Sequence, residues 1–197
     1  MKKLSVKDIE TFRGELFHMI LFSMAWCLIG EYVLDFRDYA VGLIVVLIAV
    51  VWLALYSIRL YDLEGALGEN SEPAFAAGTD VQRRRDRQYA LILLFEGIAV
   101  LLTWSILLKH GRDNWVIPSF AFIAGLHFFP LARVIRLPSY YYLGAWICLL
   151  TVAGYLLFAS GRLEDRDASA LIAYGCAAGS VLDGIVIVFR VRRELDA

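Results

Sequence analysis

Six stretches of mainly apolar residues, each close to twenty residues long and parted from the next by a charged cluster, constrain this chain more than any other feature. They fall at about 16–34, 39–58, 89–108, 115–135, 139–160 and 168–189. A helix of roughly 17–25 apolar residues crosses the hydrocarbon core of a bilayer. Lipid offers no partner to a backbone amide or carbonyl, so each stretch must satisfy its own backbone as a helix, and the alternating polarity of barrel strands is missing. The expected fold is all-α: one integral membrane domain, 1–197, of six transmembrane helices.

Composition agrees and narrows the function classes. Of 197 residues, 60% are apolar by the set AVILMFWYC, against about 45–50% in soluble domains. Nineteen Lys and Arg against 20 Asp and Glu leave a formal charge of −1, so there is no basic field to recruit nucleic acid. Cys27, Cys148 and Cys176 all lie inside apolar runs, with no CxxC pair and no histidine at ligand spacing. Neither a disulfide framework nor a metal site is expected, and no cofactor fingerprint is present. Lys2 and Lys3 precede an apolar run, as in a secretory signal, but Asp8, Glu10, Arg13 and Glu15 intervene. That run exceeds the ~7–15 residues of a signal core and no small-x-small site follows it, so it reads as a retained first span.

Lys and Arg divide unequally between the two sides of this six-span arrangement. The N-terminus, the second and fourth connections and the C-terminus carry 14 of the 19, and the other side carries Arg37, Lys109, Arg112, Arg162 and Arg166. By the positive-inside bias both termini are expected in the cytoplasm of a cell whose inner membrane holds the protein. Four connections are short enough to force antiparallel neighbours; the exception is 60–88, read as a 29-residue cytoplasmic loop. Its middle, GALGENSEPAFAAGTD, reads as irregular chain. Thr79 with Gln82, and Ser5 with Asp8, have the spacing of helix-start capping pairs. The Arg residues at 83–87 meet anionic lipid or simply set topology. Trp115, Tyr140, Tyr141 and Tyr142 are expected as interfacial anchors.

Ionisable side chains within a span are expensive, about 2.5–3.5 kcal/mol on insertion scales, and so point to function. Glu96 lies seven residues past Tyr89, Asp183 seven before Arg190 and His127 nine before Arg136. At ~1.5 Å per residue these depths are roughly 10, 10 and 13 Å from the cytoplasmic boundary. The three are expected to meet as a polar site in the inner half of the bundle. Gly175, Gly179 and Asp183 fall at i, i+4 and i+8, a small-residue stripe that lets a neighbouring helix approach. Pro130 cannot donate to the carbonyl of Leu126 and is expected to kink the fourth helix beside His127. Arg133 is expected either to supply a countercharge to Glu96 or Asp183 or to snorkel to lipid phosphate. His18 and Glu31 are weaker candidates, placed near opposite ends of the first span where water reaches. FEGIAVLL (95–102) and LDGIVIVF (182–189) resemble each other, but both acids lie at the inner level, where an inverted repeat would put one in the outer half.

GLHFFPLAR (125–133) followed by LPSYYYLGAW (137–146) resembles a motif in a family of small bacterial multi-span membrane proteins to which no activity is assigned. The resemblance covers 125–146. It implies a helical membrane fold and a role for His127, Pro130 and Arg133, and it names no substrate.

Three functions follow as expectations. The first is proton-linked passage of a small solute or ion through Glu96, His127 and Asp183. The second is a non-transporting scaffold or subunit that holds a copy of itself or a membrane partner through the glycine face or the 60–88 loop. The third, an enzyme acting on lipid with Glu96 and His127 as acid and base, has no HExxH or GxSxG support. No nucleotide fingerprint suggests active pumping.

Overall fold

The computed structural model describes residues 6–36, 41–68 and 79–195. Among them every regular element is helical: α1 (Val6–Leu34), α2 (Val41–Gly68), α3 (Thr79–Lys109), α4 (Val116–Ile135), α5 (Ser139–Ala159) and α6 (Asp165–Leu195), with one 3₁₀ turn at Asp113–Trp115. All six helices are long and apolar enough to cross a membrane. The 29-residue connection expected at 60–88 is corrected at its first end, where α2 continues to Gly68, while α3 starts at Thr79, where the Thr79–Gln82 spacing puts a helix start. The remainder, with most of the stretch read as irregular, lies outside the described residues, as does the capping partner Ser5.

The helices run up and down, joined by tight reversals. α3 and α5 each end on a left-handed glycine, Gly111 (φ 63°) and Gly161 (φ 70°), the conformation glycine adopts without steric penalty. α4 ends on Arg136, left-handed at φ 63°, and Pro138 follows directly before α5. Ahead of that stop, α4 is continuous through Pro130.

The centre of the bundle is α6 against α1. In α6, 61% of the apolar stretch is buried; in α3 none is. α2 packs on α1 and α6, α5 on α6 and α4, and α3 chiefly on α4. Two kinds of contact set the spacing. Glycines bring α5 close to its neighbours: a Cβ at Gly144 would lie 2.8 Å from the Gly125 carbonyl oxygen, and one at Gly154 2.7 Å from Ile172 Cγ1. Between α1 and the α4–α5 pair the space is instead filled by rings, with Phe22 and Phe128 centred 5.3 Å apart and Phe128 and Tyr140 also 5.3 Å apart, both edge to face. Edge-to-face pairs of this kind contribute about 0.5–1.5 kcal/mol beyond their buried area.

The ends that carry the termini extend past the apolar runs because polar and cation–π contacts hold them. Arg13 Nε lies 3.1 Å from Glu64 Oε2, the Arg190 guanidinium stands 5.6 Å over the Phe12 ring and that of Arg192 5.7 Å over Tyr56. At the opposite end Glu31 is fully buried and its Oε1 accepts the backbone N–H of Leu43 at 2.8 Å, capping the first turn of α2. The expectation that water reaches Glu31 is therefore corrected: the return of α2 covers it.

Candidate functional site

α3 turns one stripe toward the bundle. Arg85, Tyr89, Ile92, Glu96 and Thr103 fall at i, i+4, i+7, i+11 and i+18 and are among the half-buried positions, while Leu94, Phe95, Leu101 and Leu102 face outward. Every polar side chain on that stripe therefore points at protein. α1 presents Glu15, His18 and Phe22 at i, i+3 and i+7 on the opposing side.

Between these stripes the polar groups meet. His127 Nδ1 lies 3.1 Å from Glu96 Oε1, an ion-pair contact outside hydrogen-bond angles. The His127 side chain is 5% exposed and that of Glu96 20%. The His18 and His127 rings are centred 6.4 Å apart, and the Tyr89 hydroxyl is 3.1 Å from His18 Nδ1. The Nε2 atoms of both histidines are buried without a hydrogen-bond partner. Each needs one, because a buried polar atom left alone costs about 1–3 kcal/mol.

A second cluster lies on the α1–α5–α6 side. The Tyr140 hydroxyl donates to Glu15 Oε2, with both residues buried. Glu15 is within electrostatic reach of Arg85 and of Asp183, and Asp183 stands beside Ser139 at the start of α5. Asp183 is buried. The three residues expected to meet are thus divided: Glu96 and His127 pair directly, while Asp183 belongs with Glu15, Tyr140 and Ser139. Tyr89 joins the halves, within electrostatic reach of both Glu15 and Glu96.

The stripe of small residues on α6 faces α5. A Cβ at Gly175 would collide with the Leu150 side chain, and one at Gly179 would lie 2.7 Å from Trp146 Cδ1; Trp146 Nε1 donates to the Gly175 carbonyl at 2.9 Å. Arg133 is exposed and enters none of the described ion pairs, so no described contact makes it a countercharge. Six residues after His127 it is turned about 120° from the imidazole at 100° per residue. Pro130 is likewise exposed.

Glu15 and Tyr140 are the residues that sequence reasoning missed. Glu15 precedes the first apolar run by one residue and reads as a boundary charge, and Tyr140 reads as an interfacial anchor; Tyr140 is corrected, being fully buried. Only Tyr142 of that trio is highly exposed, at 78%. Spacing gives a signal after the fact, since Glu15 is three residues from His18 and on the same helix face.

Along the α3 stripe, seven residues or about 10 Å beyond Glu96, Thr103 lines a cavity of about 300 Å³ with Ser119 of α4 and Thr151 of α5. Between that cavity and the Glu96–His127 pair the half-buried residues of α3 are Ala99 and Val100. Among the described residues no group of three His, Cys, Asp or Glu side chains is placed to hold a metal. Comparison with protein-family models, with curated proteins and with solved structures finds no match to this chain.

Proposed function

We propose that the protein resides in the inner membrane with both termini in the cytoplasm and passes protons, alone or with a small solute, along the inner face of α3. The observation that carries this reading is the cluster of exchangeable groups formed by the paired Glu96 and His127 with His18 and Tyr89. Ionisable groups inside an oily bundle are rare, and pathways for protons are where they collect. A histidine can accept a proton on one ring nitrogen and release one from the other. The Nε2 atoms of both histidines are buried without a protein partner, and a bridging water would satisfy them. Tyr89 and Arg85, about two and three turns along α3 from Glu96, extend the cluster toward the end that the positive-inside bias favours for the cytoplasm.

The test is proton permeability of vesicles containing the purified chain, read with an entrapped pH dye under a potassium diffusion potential. Imidazole is the side chain that changes charge between about pH 5 and 8, so the rate is expected to vary over that window. His127→Leu should reduce the rate at least about tenfold, the scale of removing one positioned proton carrier, and Glu96→Gln should lower it less. Wild-type vesicles no leakier than empty ones would overturn the reading and leave the scaffold role as the better account.

A further inference from the structure

The face of α3 turned away from the bundle begins on arginine. Arg83, Arg87, Ala90, Leu94, Gly97 and Leu101 fall within an arc of about 80° at 100° per residue, opposite the stripe that carries Glu96, and all six are exposed. Nothing stands within 4 Å of where a Cβ at Gly97 would be, so Gly97 and Ala90 leave a bare strip beside Leu94 and Leu101. None of the apolar stretch of α3 is buried, and in a bilayer this face meets acyl chains.

Arg87 and Arg83 stand about 3 and 9 Å outside the apolar run that begins at 89, at the level of the headgroups. The Glu96–His127 contact fixes the register of α3 against α4. Arg87 lies nine residues before Glu96 and Arg136 nine after His127, so the two come to about the same depth, with Arg133 one turn further in. The segments 79–88 and 130–138 together hold six arginines against two acids, Asp80 and Asp86. Elsewhere at this end the arginines are engaged: Arg13 with Glu64, Arg190 with Glu194, Arg192 over Tyr56. Arg83, Arg87, Arg133 and Arg136 are exposed and enter none of the described ion pairs or ring contacts.

We propose that this face binds an anionic phospholipid, with its phosphate on Arg83 and Arg87 and an acyl chain along Ala90 and Gly97. A guanidinium holds a phosphate through two parallel N–H···O bonds, and Arg133 and Arg136, on the helix packed against α3, add to the positive potential there. A zwitterionic headgroup brings its own cation and gains less from that potential. A peptide or nucleic acid in the aqueous phase would meet the arginines but not the apolar run beneath them; a lipid matches both. A second copy meeting this face about an axis along the membrane normal would set Arg83 and Arg87 against themselves. The site rests on the chain crossing a bilayer and not on proton passage.

The experiment uses the full chain in nanodiscs of zwitterionic lipid, doped with a photoactivatable phosphatidylglycerol or with a phosphatidylcholine of identical chains. The anionic probe is expected to label 90–101 about tenfold more than the zwitterionic one, the scale of one to two near-surface charges. Arg83→Gln combined with Arg87→Gln should bring that ratio close to one, and Arg83→Lys combined with Arg87→Lys should keep most of it. Folding and orientation are not at stake, since both positions are exposed and, with two fewer on that side, 12 of 17 Lys and Arg remain there. Equal labelling of 90–101 by the two probes in the wild type, exclusion of both, or a ratio untouched by the double Gln variant overturns the site. Labelling is read without flux. A wild-type ratio near one with proton permeability intact removes this site alone, and an enriched ratio in vesicles no leakier than empty ones removes the permeation reading alone.

Discussion

α3 and α6 carry similar runs, FEGIAVLL and LDGIVIVF, each with an acid, Gly and Ile in order, yet one helix is peripheral and the other central. Gly97 has nothing within 4 Å of where a Cβ would stand, whereas a Cβ at Gly184 would lie 2.8 Å from Leu53 Cδ1. The flanking acids follow suit, since the Glu96 side chain is 20% exposed and Asp183 as a residue 6%. Local sequence therefore does not decide whether a Glu-Gly or Asp-Gly step lies in a helix contact. The stripe around it does. α6 adds Gly175, Gly179 and Ser180 on its packed faces, while outside its half-buried stripe α3 is flanked by Leu94, Phe95, Leu101 and Leu102 facing outward.

That contrast is broken or upheld most sharply by the two glycines. Gly184→Val is expected to lower stability toward the upper end of the ~1–3 kcal/mol typical of overpacking, because Leu53 is fully buried and has no room to turn away. Gly97→Val should leave thermal unfolding in detergent unchanged within error. Equal losses at the two sites would mean that α3 is as tightly held as α6.

The second comparison concerns the two polar clusters. Tyr140→Phe strips the donor from buried Glu15 and should destabilise by about 1–2 kcal/mol, since an orphaned carboxylate oxygen is costly inside the bundle. The Glu96–His127 pair, on the half-exposed stripe of α3, should show a smaller coupling. A double-mutant cycle with Glu96→Gln and His127→Leu is expected near 0.6 kcal/mol, the average for polar contacts between membrane helices. A cycle that exceeds the Tyr140→Phe loss would reverse the ranking of the two clusters and make α3 an anchor of the fold.

How much of this was legible follows from what each feature depends on. The spans are legible because lipid tolerates only apolar, self-satisfied backbone, and depth along a helix is arithmetic. Glu96 and His127 were placed at nearly the same level on that basis, and they meet. Azimuth is not legible in this way, because it depends on which helix lies on which side, and Asp183 at the same level turns toward Ser139 instead. The end of α2 past 60 escapes hydropathy, whereas the start of α3 is legible in the spacing of Thr79 and Gln82. At the α2 end, charged side chains sit there with partners on other helices, as Arg13 does with Glu64. Glu31 was misjudged for the same reason, its carboxylate being covered by a helix that starts seven residues beyond α1.

The smallest expected effect tests whether α1 and α6 are held by their interior at all. At the end remote from the termini Arg166 Nη1 reaches Asp35 Oδ2 at 2.5 Å, the shortest route by which a charge pair could clasp the two central helices. Both side chains are more than half exposed, 54% and 61%. An exposed pair of this kind gains little Coulomb energy and is screened by salt, typically leaving about 0.2–1 kcal/mol. The contacts that compete with it are the buried ones along the same two helices, among them Leu16, Met19, Cys27, Ile172, Ala173, Cys176 and Ala177, all fully buried. Arg166→Ala should therefore shift stability by less than about 0.5 kcal/mol, and the shift should fade further in high salt. A loss that rivals Gly184→Val and persists in salt would place the hold on α1 and α6 at their exposed ends, and the difference between a packed α6 and a peripheral α3 would then need an electrostatic rather than a steric cause.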